Sequence, residues 1–189
     1  MENLQQALRF GGILPKKEIE YVTGFFEELE LKAGEDFLSI GAVSNRIGFV
    51  DSGVLRSYAL GGDFEEATKY FIRKNQFVVE IESFYSNQPS ESGIQAVVPG
   101  RILTVKRAVW NKLYEEVPKL YILTKTLTEA ALLNKIKDKE FLYFGSAKEK
   151  YLEFMRRYPD LALSVPLQYI ASYLQITPQS LSRIRREIS

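Results

Sequence analysis

The spacing of apolar positions changes twice along the chain. In residues 2–29, Ile19, Val22, Phe25, Phe26 and Leu29 recur at helical spacing. Gly11-Gly12 and Pro15 divide that stretch into a short lead helix and a longer one. From Leu31 to Lys106 the pattern becomes short β-rich runs: Phe37-Leu-Ser-Ile, Arg46-Ile-Gly-Phe-Val, Val54-Leu-Arg-Ser-Tyr-Ala-Leu, Thr68-Lys-Tyr-Phe-Ile, Gln95-Ala-Val-Val and Arg101-Ile-Leu-Thr-Val. Turn residues punctuate them at Ala33-Gly-Glu-Asp, Asp51-Ser-Gly, Gly61-Gly-Asp and Val98-Pro-Gly. Short strands separated by such turns predict an antiparallel sandwich or barrel. The stretch from Phe77 to Tyr85 interrupts the strands and reads as a loop with a short helical turn.

Residues 107–142 return to helix, with Pro118 at a first helical turn. Beyond it, Leu120, Leu123, Leu127, Ala130 and Ala131 form a stripe. Ile122, Leu132, Leu133 and Ile136 lie off that stripe, so the helix is apolar over a wide arc. One face can pack on the β domain and another on a second copy of the chain. The alternative is a helix buried within one chain. Ser146-Ala-Lys-Glu149 is a capping box that opens a further helix, to about Tyr158. Leu161 to Val165 then reads as a link. These patterns predict an α+β chain, with residues 1–140 as a β domain plus long helix and residues 141–189 as a separate helical domain.

The last helices are the most informative. Leu167 to Leu174 supplies one, with Ile170, Ala171 and Leu174 inward and Ala171 small enough for a close helix approach. Gln175-Ile176 makes a turn. Thr177 caps the next helix and Pro178 suits its first position. Leu181 and Ile184 face inward, leaving Gln179, Ser180, Ser182, Arg183 and Arg186 outward. This is the layout of a helix-turn-helix that enters the DNA major groove. Arg makes bidentate contacts with guanine and Gln with adenine, while hydroxyls and helix-start N–H groups take phosphates. An ordinary helical hairpin with a solvated polar face gives the same pattern.

Composition narrows the classes. The chain has no Cys and no His, which removes thiolate metal sites, Cys nucleophiles and His bases, and fits a cytoplasmic setting. The N-terminus lacks the basic and apolar regions of a signal peptide. No apolar run approaches the ~18 residues of a membrane span. The net charge is only +1, but it is uneven: from Ser146 onward seven Lys/Arg face four Asp/Glu, a net of +3, and the rest of the chain carries −2. A slightly acidic body joined to a basic terminal piece suits a sensor attached to a DNA reader.

The segment Thr177-Pro-Gln-Ser-Leu-Ser-Arg-Ile184 resembles the recognition helix of the bacterial Crp/Fnr family of transcription regulators, the cyclic-AMP receptor protein and its relatives. Leu31-Lys-Ala-Gly-Glu-Asp-Phe-Leu-Ser-Ile-Gly and Ile47-Gly-Phe-Val-Asp-Ser-Gly-Val-Leu-Arg-Ser-Tyr look like the opening strands of that family's β-roll. The resemblance implies an N-terminal cyclic-nucleotide-binding-like jelly roll, a dimerisation helix after Pro118, and a winged-helix-like DNA-binding domain. It implies a homodimer on palindromic promoter DNA, with RNA polymerase as a further partner and no cofactor. Gln179 and Arg183 would read bases. Ser180 and Ser182 would lie near phosphates or base edges, and Thr177, Pro178 and Arg186 would complete the DNA-facing set. Pro178 replaces a side chain that often contacts DNA. Leu161-Ala-Leu-Ser-Val leaves little room for the family's β-wing.

The sensing end departs from the pattern. The family's phosphate cassette runs Gly-Glu through Pro-Arg-Ser-Ala. Here Glu80 stands at the Gly, Ile81 at the Glu, Ser90 at the Arg and Glu91 at the Ser. Glu80, Glu82 and Glu91 would add negative charge where an anionic phosphate needs a cation. Cyclic AMP is therefore not expected to bind. Glu80, Glu82, Ser83, Ser90, Glu91 and Ser92 are the candidate effector pocket, suited to a cationic or hydroxyl-rich small molecule, or else a solvated loop. Carboxylate pairs such as Glu80/Glu82 and Glu65/Glu66 would suit acid–base catalysis, but no nucleophile elbow, P-loop or metal cluster accompanies them, so an enzyme is not expected. A β-roll ligand or protein-interaction module whose terminal helices bind no DNA is the other class.

Overall fold

The computed structural model describes residues 1–61 and 66–188. Most of the Gly61-Gly-Asp turn, and Glu65, lie outside the described residues. The chain opens with α1 (Glu2–Leu8), a 3₁₀ turn (Phe10–Gly12) and α2 (Lys16–Thr23). Eight strands follow: β1 (Glu27–Leu31), β2 (Asp36–Leu38), β3 (Arg46–Val50), β4 (Val54–Leu60), β5 (Glu66–Ile72), β6 (Phe77–Val78), β7 (Ser92–Val98) and β8 (Gly100–Lys106), with α3 (Ile81–Ser86) between β6 and β7. The rest is helical: α4 (Arg107–Glu116), α5 (Lys119–Glu140), α6 (Ala147–Arg157), α7 (Pro159–Ser164), α8 (Leu167–Leu174) and α9 (Pro178–Ile188).

The strands form two four-stranded sheets, ordered β1-β8-β3-β6 and β2-β7-β4-β5, with every pairing antiparallel. Alternation along each strand sends side chains into different clusters. Val50, Leu55, Ile94, Ala96 and Ile102 point between the sheets. Phe49, Leu103 and Val105 point outward from the first sheet onto Leu4, Leu8, Val22, Trp110, Leu120 and Leu123 of the N-terminal and central helices. Val54 and Val97 point outward from the second sheet onto the C-terminal helices, with Phe71 and Val98 packed beside them. Both faces of each sheet are thus covered, which is why β3 and β4 read as apolar runs.

Three differences from the sequence expectation have physical causes. The helix expected across residues 2–29 stops at Thr23, and Leu29 lies in β1. Glu27-Glu-Leu-Glu-Leu31 has good helix formers, but pairing with β8 from Glu27↔Thr104 to Leu31↔Gly100 overrides their local preference. The link expected at Leu161–Val165 is largely α7, started by Pro159 at its first turn. The expected winged-helix-like character is also corrected, because among the described residues no strand follows β8. Pro118 behaves as expected, capping α5 directly after α4 ends.

The turn between β3 and β4 is held from two sides. A Cβ on Gly100 would collide with the Ser52 carbonyl, and Gly53 sits at φ +86, so both positions need glycine. Buried Asp51 accepts from Asn3 Nδ2 of α1 at 2.9 Å and from Arg101 Nε of β8 at 2.9 Å. The Asn3 hydrogen bond, then the Arg101 hydrogen bond, hold its carboxyl below the ordinary 3.8. A depressed folded value gives stability that is present above the unfolded value and lost as pH falls through the folded one. Asp51→Ala is expected to cost about 1–3 kcal/mol near neutral pH. Urea unfolding of parent and variant should then converge as the pH is lowered well below about 4.

Candidate functional site

The two last helices form the pair that the sequence indicates. Ile170, Ala171 and Leu174 of α8 are buried against Leu181 and Ile184 of α9 in one cluster. Gln175 ends α8 in the left-handed region at φ 58, and Ile176 N–H donates back to the Ala171 carbonyl at 3.0 Å. That bond satisfies a helix-end carbonyl while the chain reverses. Thr177 Oγ1 then accepts from Ser180 N–H at 3.1 Å and Pro178 opens α9. Thr177, Pro178, Gln179, Ser182, Arg183 and Arg186 are exposed, and Ser180 is half-buried. Gln179, Arg183 and Arg186 recur at i, i+4 and i+7, so they share one face opposite Leu181 and Ile184. Arg183 lies 3.9 Å from Glu187, a solvent-screened pair that leaves its guanidinium accessible.

The helix pair is fixed to the second sheet by contacts that sequence reasoning missed. Ser172 Oγ of α8 accepts from Thr68 N–H at 2.8 Å and donates to the Glu66 carbonyl at 3.3 Å, pairing the edge of β5. Tyr173 packs against Phe71 with ring centres 5.4 Å apart and against Phe154 at 5.8 Å. Burial pushes the Tyr173 phenol up to about 12, so it stays protonated. Arg56 of β4 is only 2% exposed. Its guanidinium lies 4.1 Å from the Tyr169 ring of α8 and 4.4 Å from the Tyr58 ring, donating to Gln95 Oε1 and to Glu66. A cation inside the apolar run Val54-Leu-Arg-Ser-Tyr was the available signal.

Four of the six residues of the expected effector pocket are engaged in hydrogen bonds within the fold. Glu80 Oε2 accepts from Ser83 N–H at 2.7 Å and caps α3. Ser83 Oγ accepts from Ser44 N–H at 2.9 Å and donates to the Gln88 carbonyl. Ser90 Oγ donates to the Ser92 carbonyl at 2.7 Å and accepts from Ser92 N–H at 3.0 Å. Glu82 and Glu91 are exposed. The buried serines therefore tie the β6–β7 connection together. Tyr58 closes over Gly93, where any side chain would collide with its ring. Two cavities lie elsewhere, about 220 Å³ along the β2–β3 loop and about 200 Å³ between β5, α5 and α8, and none of the six lines either one.

Residues 28–117 match the family model described as cyclic nucleotide-binding domain. That stretch runs from β1 through α4 and resembles cyclic nucleotide-binding domains, and the solved structures similar to the whole chain include Crp/Fnr-type regulators. The regulator CLP of Xanthomonas campestris, described as c-di-GMP responsive, superposes with a TM-score of 0.71 at 14% identity, over 92% of this chain and 91% of that one. FixK2 from Bradyrhizobium japonicum gives 0.69 at 20%, over 86% and 84%. The Thermus thermophilus catabolite activator protein gives 0.59 at 16%, over 96% and 86%. At these identities the likeness is one of fold. No curated protein matches the sequence. Within the matched range, the segment between β6 and β7 is a short capped helix and a serine knot.

No helix is long and apolar enough to cross a membrane, and no cluster of three or more acidic groups suited to a metal occurs among the described residues.

Removing the Arg56 side chain would leave Glu66 and Gln95 without their donor and Tyr169 without its cation. Arg56→Ala is expected to cost about 1–3 kcal/mol. Arg56→Lys should not restore it, since an ammonium cannot stack on two rings while donating in a planar fork. Urea denaturation of the three proteins checks both statements.

Proposed function

We propose that the chain is a sequence-specific DNA-binding transcription regulator that acts as a homodimer. In this reading residues 1–140 are the sensing and dimerisation part and residues 141–189 the DNA-binding part. The observation that carries it is the α8–turn–α9 pair, with Leu181 and Ile184 anchored and Gln179, Arg183 and Arg186 aligned on an exposed face. Gln179 and Arg183 are the base readers. Thr177, Ser180 and Ser182 contribute phosphate contacts near the start of α9, with Pro178 and Arg186 beside them. RNA polymerase is a further candidate partner.

The dimer reading rests on α5. Leu120 and Leu123 are fully buried, whereas Ile122, Leu132, Leu133 and Ile136 remain 54–61% exposed. Their spacing brings Ile122, Leu133 and Ile136 close to one line along the helix. A second copy covering that line would set two α9 helices in two-fold symmetry, matched to half-sites ~34 Å apart. The cassette supports an effector other than cyclic AMP. No basic side chain occupies Ser90 or Glu91, and the serine hydroxyls are already engaged.

Duplexes selected from a random pool by the protein should carry a two-fold symmetric site. In fluorescence anisotropy the affinity should fall steeply with salt. Arg183→Ala should lose ~1–3 kcal/mol and relax one position of each half-site. Equal binding of selected and scrambled duplexes by the parent protein would overturn the reading and leave a ligand-binding or protein-interaction module. Leu133→Glu with Ile136→Glu should give a monomer by light scattering and weaken binding to the paired site. Calorimetric titration with cyclic AMP should give no micromolar binding.

A further inference from the structure

Three tyrosines from three helices stand together beside the β6–β7 connection. α3 docks on α4 through Phe84, which is buried with Trp110 and Leu113, and through Arg107, whose guanidinium donates to the Phe84 carbonyl at 3.1 Å. That docking sets the next residue, Tyr85, beside α4. The rings of Tyr114 on α4 and Tyr121 on α5 meet edge to face, with centres 5.9 Å apart. Tyr114 Oη lies 3.0 Å from Thr124 Oγ1, which itself donates to the Leu120 carbonyl, so the Tyr114 ring is held against α5. Partial desolvation, then the phenols of Tyr114 and Tyr121, push the Tyr85 phenol up to about 12, which keeps that ring neutral. Yet Tyr85 is 70% exposed and Tyr121 62%. Ile81 and Glu82, also exposed, precede Tyr85 on the same face of α3. Elsewhere the chain covers its rings with its own cations: Arg56 on Tyr58 and Tyr169, Arg73 on Tyr158, Lys135 on Tyr70 and Arg157 on Phe141. Among the described residues none lies over Tyr85, Tyr114 or Tyr121, and residues 62–65 and 189 include no Lys or Arg. The nearby lysines face carboxylates, Lys112 toward Glu116 and Lys125 toward Glu129.

We propose that Tyr85, Tyr114 and Tyr121, with Glu82 at the rim, form an aromatic site for a small quaternary ammonium compound. Ring faces carry negative charge density and attract a cation, and this is the usual way proteins recognise quaternary ammonium groups. Such a group has no N–H to satisfy, so it leaves water readily and sets its methyl groups against the rings and Ile81. A primary ammonium is strongly hydrated and loses more on entering. Glu82 supplies the counter-charge. The rings are already fixed by Phe84, Arg107 and Thr124, so little order has to be gained on binding. The site stands apart from the serine knot, whose hydroxyls are engaged. An occupant joins α3 to α4 and α5. The binding stands on these contacts alone, and its effect on DNA rests on the regulator reading above.

The test is NMR titration of the full chain with choline, with ethanolamine, and with the neutral carbon isostere of choline, in which a tert-butyl group replaces trimethylammonium. Choline should saturate and shift the ring signals of the three tyrosines. Ethanolamine and the neutral isostere should each bind about fivefold or more weakly. Tyr85→Leu and Tyr121→Leu should each weaken choline about threefold or more, while Tyr85→Phe, which keeps the ring, should not. Both positions are exposed, and thermal melts report that the variants fold. Equal binding of choline and its neutral isostere, or parent affinity for choline in the Tyr85→Leu/Tyr121→Leu double variant, would overturn the proposal. So would absence of choline saturation together with a lower mass of Tyr121→Leu in light scattering, which would show a second copy covering the rings. Anisotropy on a selected duplex is read separately: choline saturation without DNA binding sinks the regulator reading alone, and DNA binding without choline saturation sinks the aromatic site alone.

Discussion

The guanidinium of Arg56 is a charge buried where two parts of the chain meet, and its position can be held only if both supply partners. Glu66 and Gln95 come from the sheet and the Tyr169 ring comes from α8. A buried cation left without these would be costly, so the sheet and the helix pair cannot separate freely. Ser172 adds a second tie by pairing the otherwise open edge of β5. The pose of α9 thus follows from the pose of α8, which follows from β4 and β5.

This docking makes the second sheet the structural link between the cassette end of the β-roll and the exposed face of α9. Its inner face belongs to the core between the sheets and its outer face to the helical cluster. Packed elements of this kind pass on displacement because they have little free volume. A cavity of about 200 Å³ between β5, α5 and α8 is a gap in that packing, bordered by Lys69 and Lys139. The cassette itself is closed by its own hydrogen bonds, with Ser83 and Ser90 holding backbone groups. The two ends of the molecule therefore differ in character, one spent on internal order and the other left open to solvent.

Most strands were legible because alternating burial on a covered sheet leaves a clear apolar signature. Thr177-Pro178 and the Ser146–Glu149 box were legible for a similar reason, since caps are satisfied by residues three positions away. β1 was not legible, because Glu27-Glu-Leu-Glu-Leu31 favours helix until β8 pairs with it. α7 was read as a link because only Pro159 marks its start and it is short. The candidate effector residues run from Glu80 to Ser92, and their side-chain directions depend on partners such as Ser44 and Gln88, which the local pattern does not reveal.

The sequence by itself determined most of the strands, the caps, and the alignment of Gln179, Arg183 and Arg186, because each rests on neighbours within about one turn of helix or a few strand positions. Tertiary structure alone decided that Ser83 meets Ser44, that β1 is a strand, and that Arg56 meets Tyr169. It alone brought Ser172 to the edge of β5. These are pairings between residues far apart in the chain, and only the folded packing brings them within contact distance.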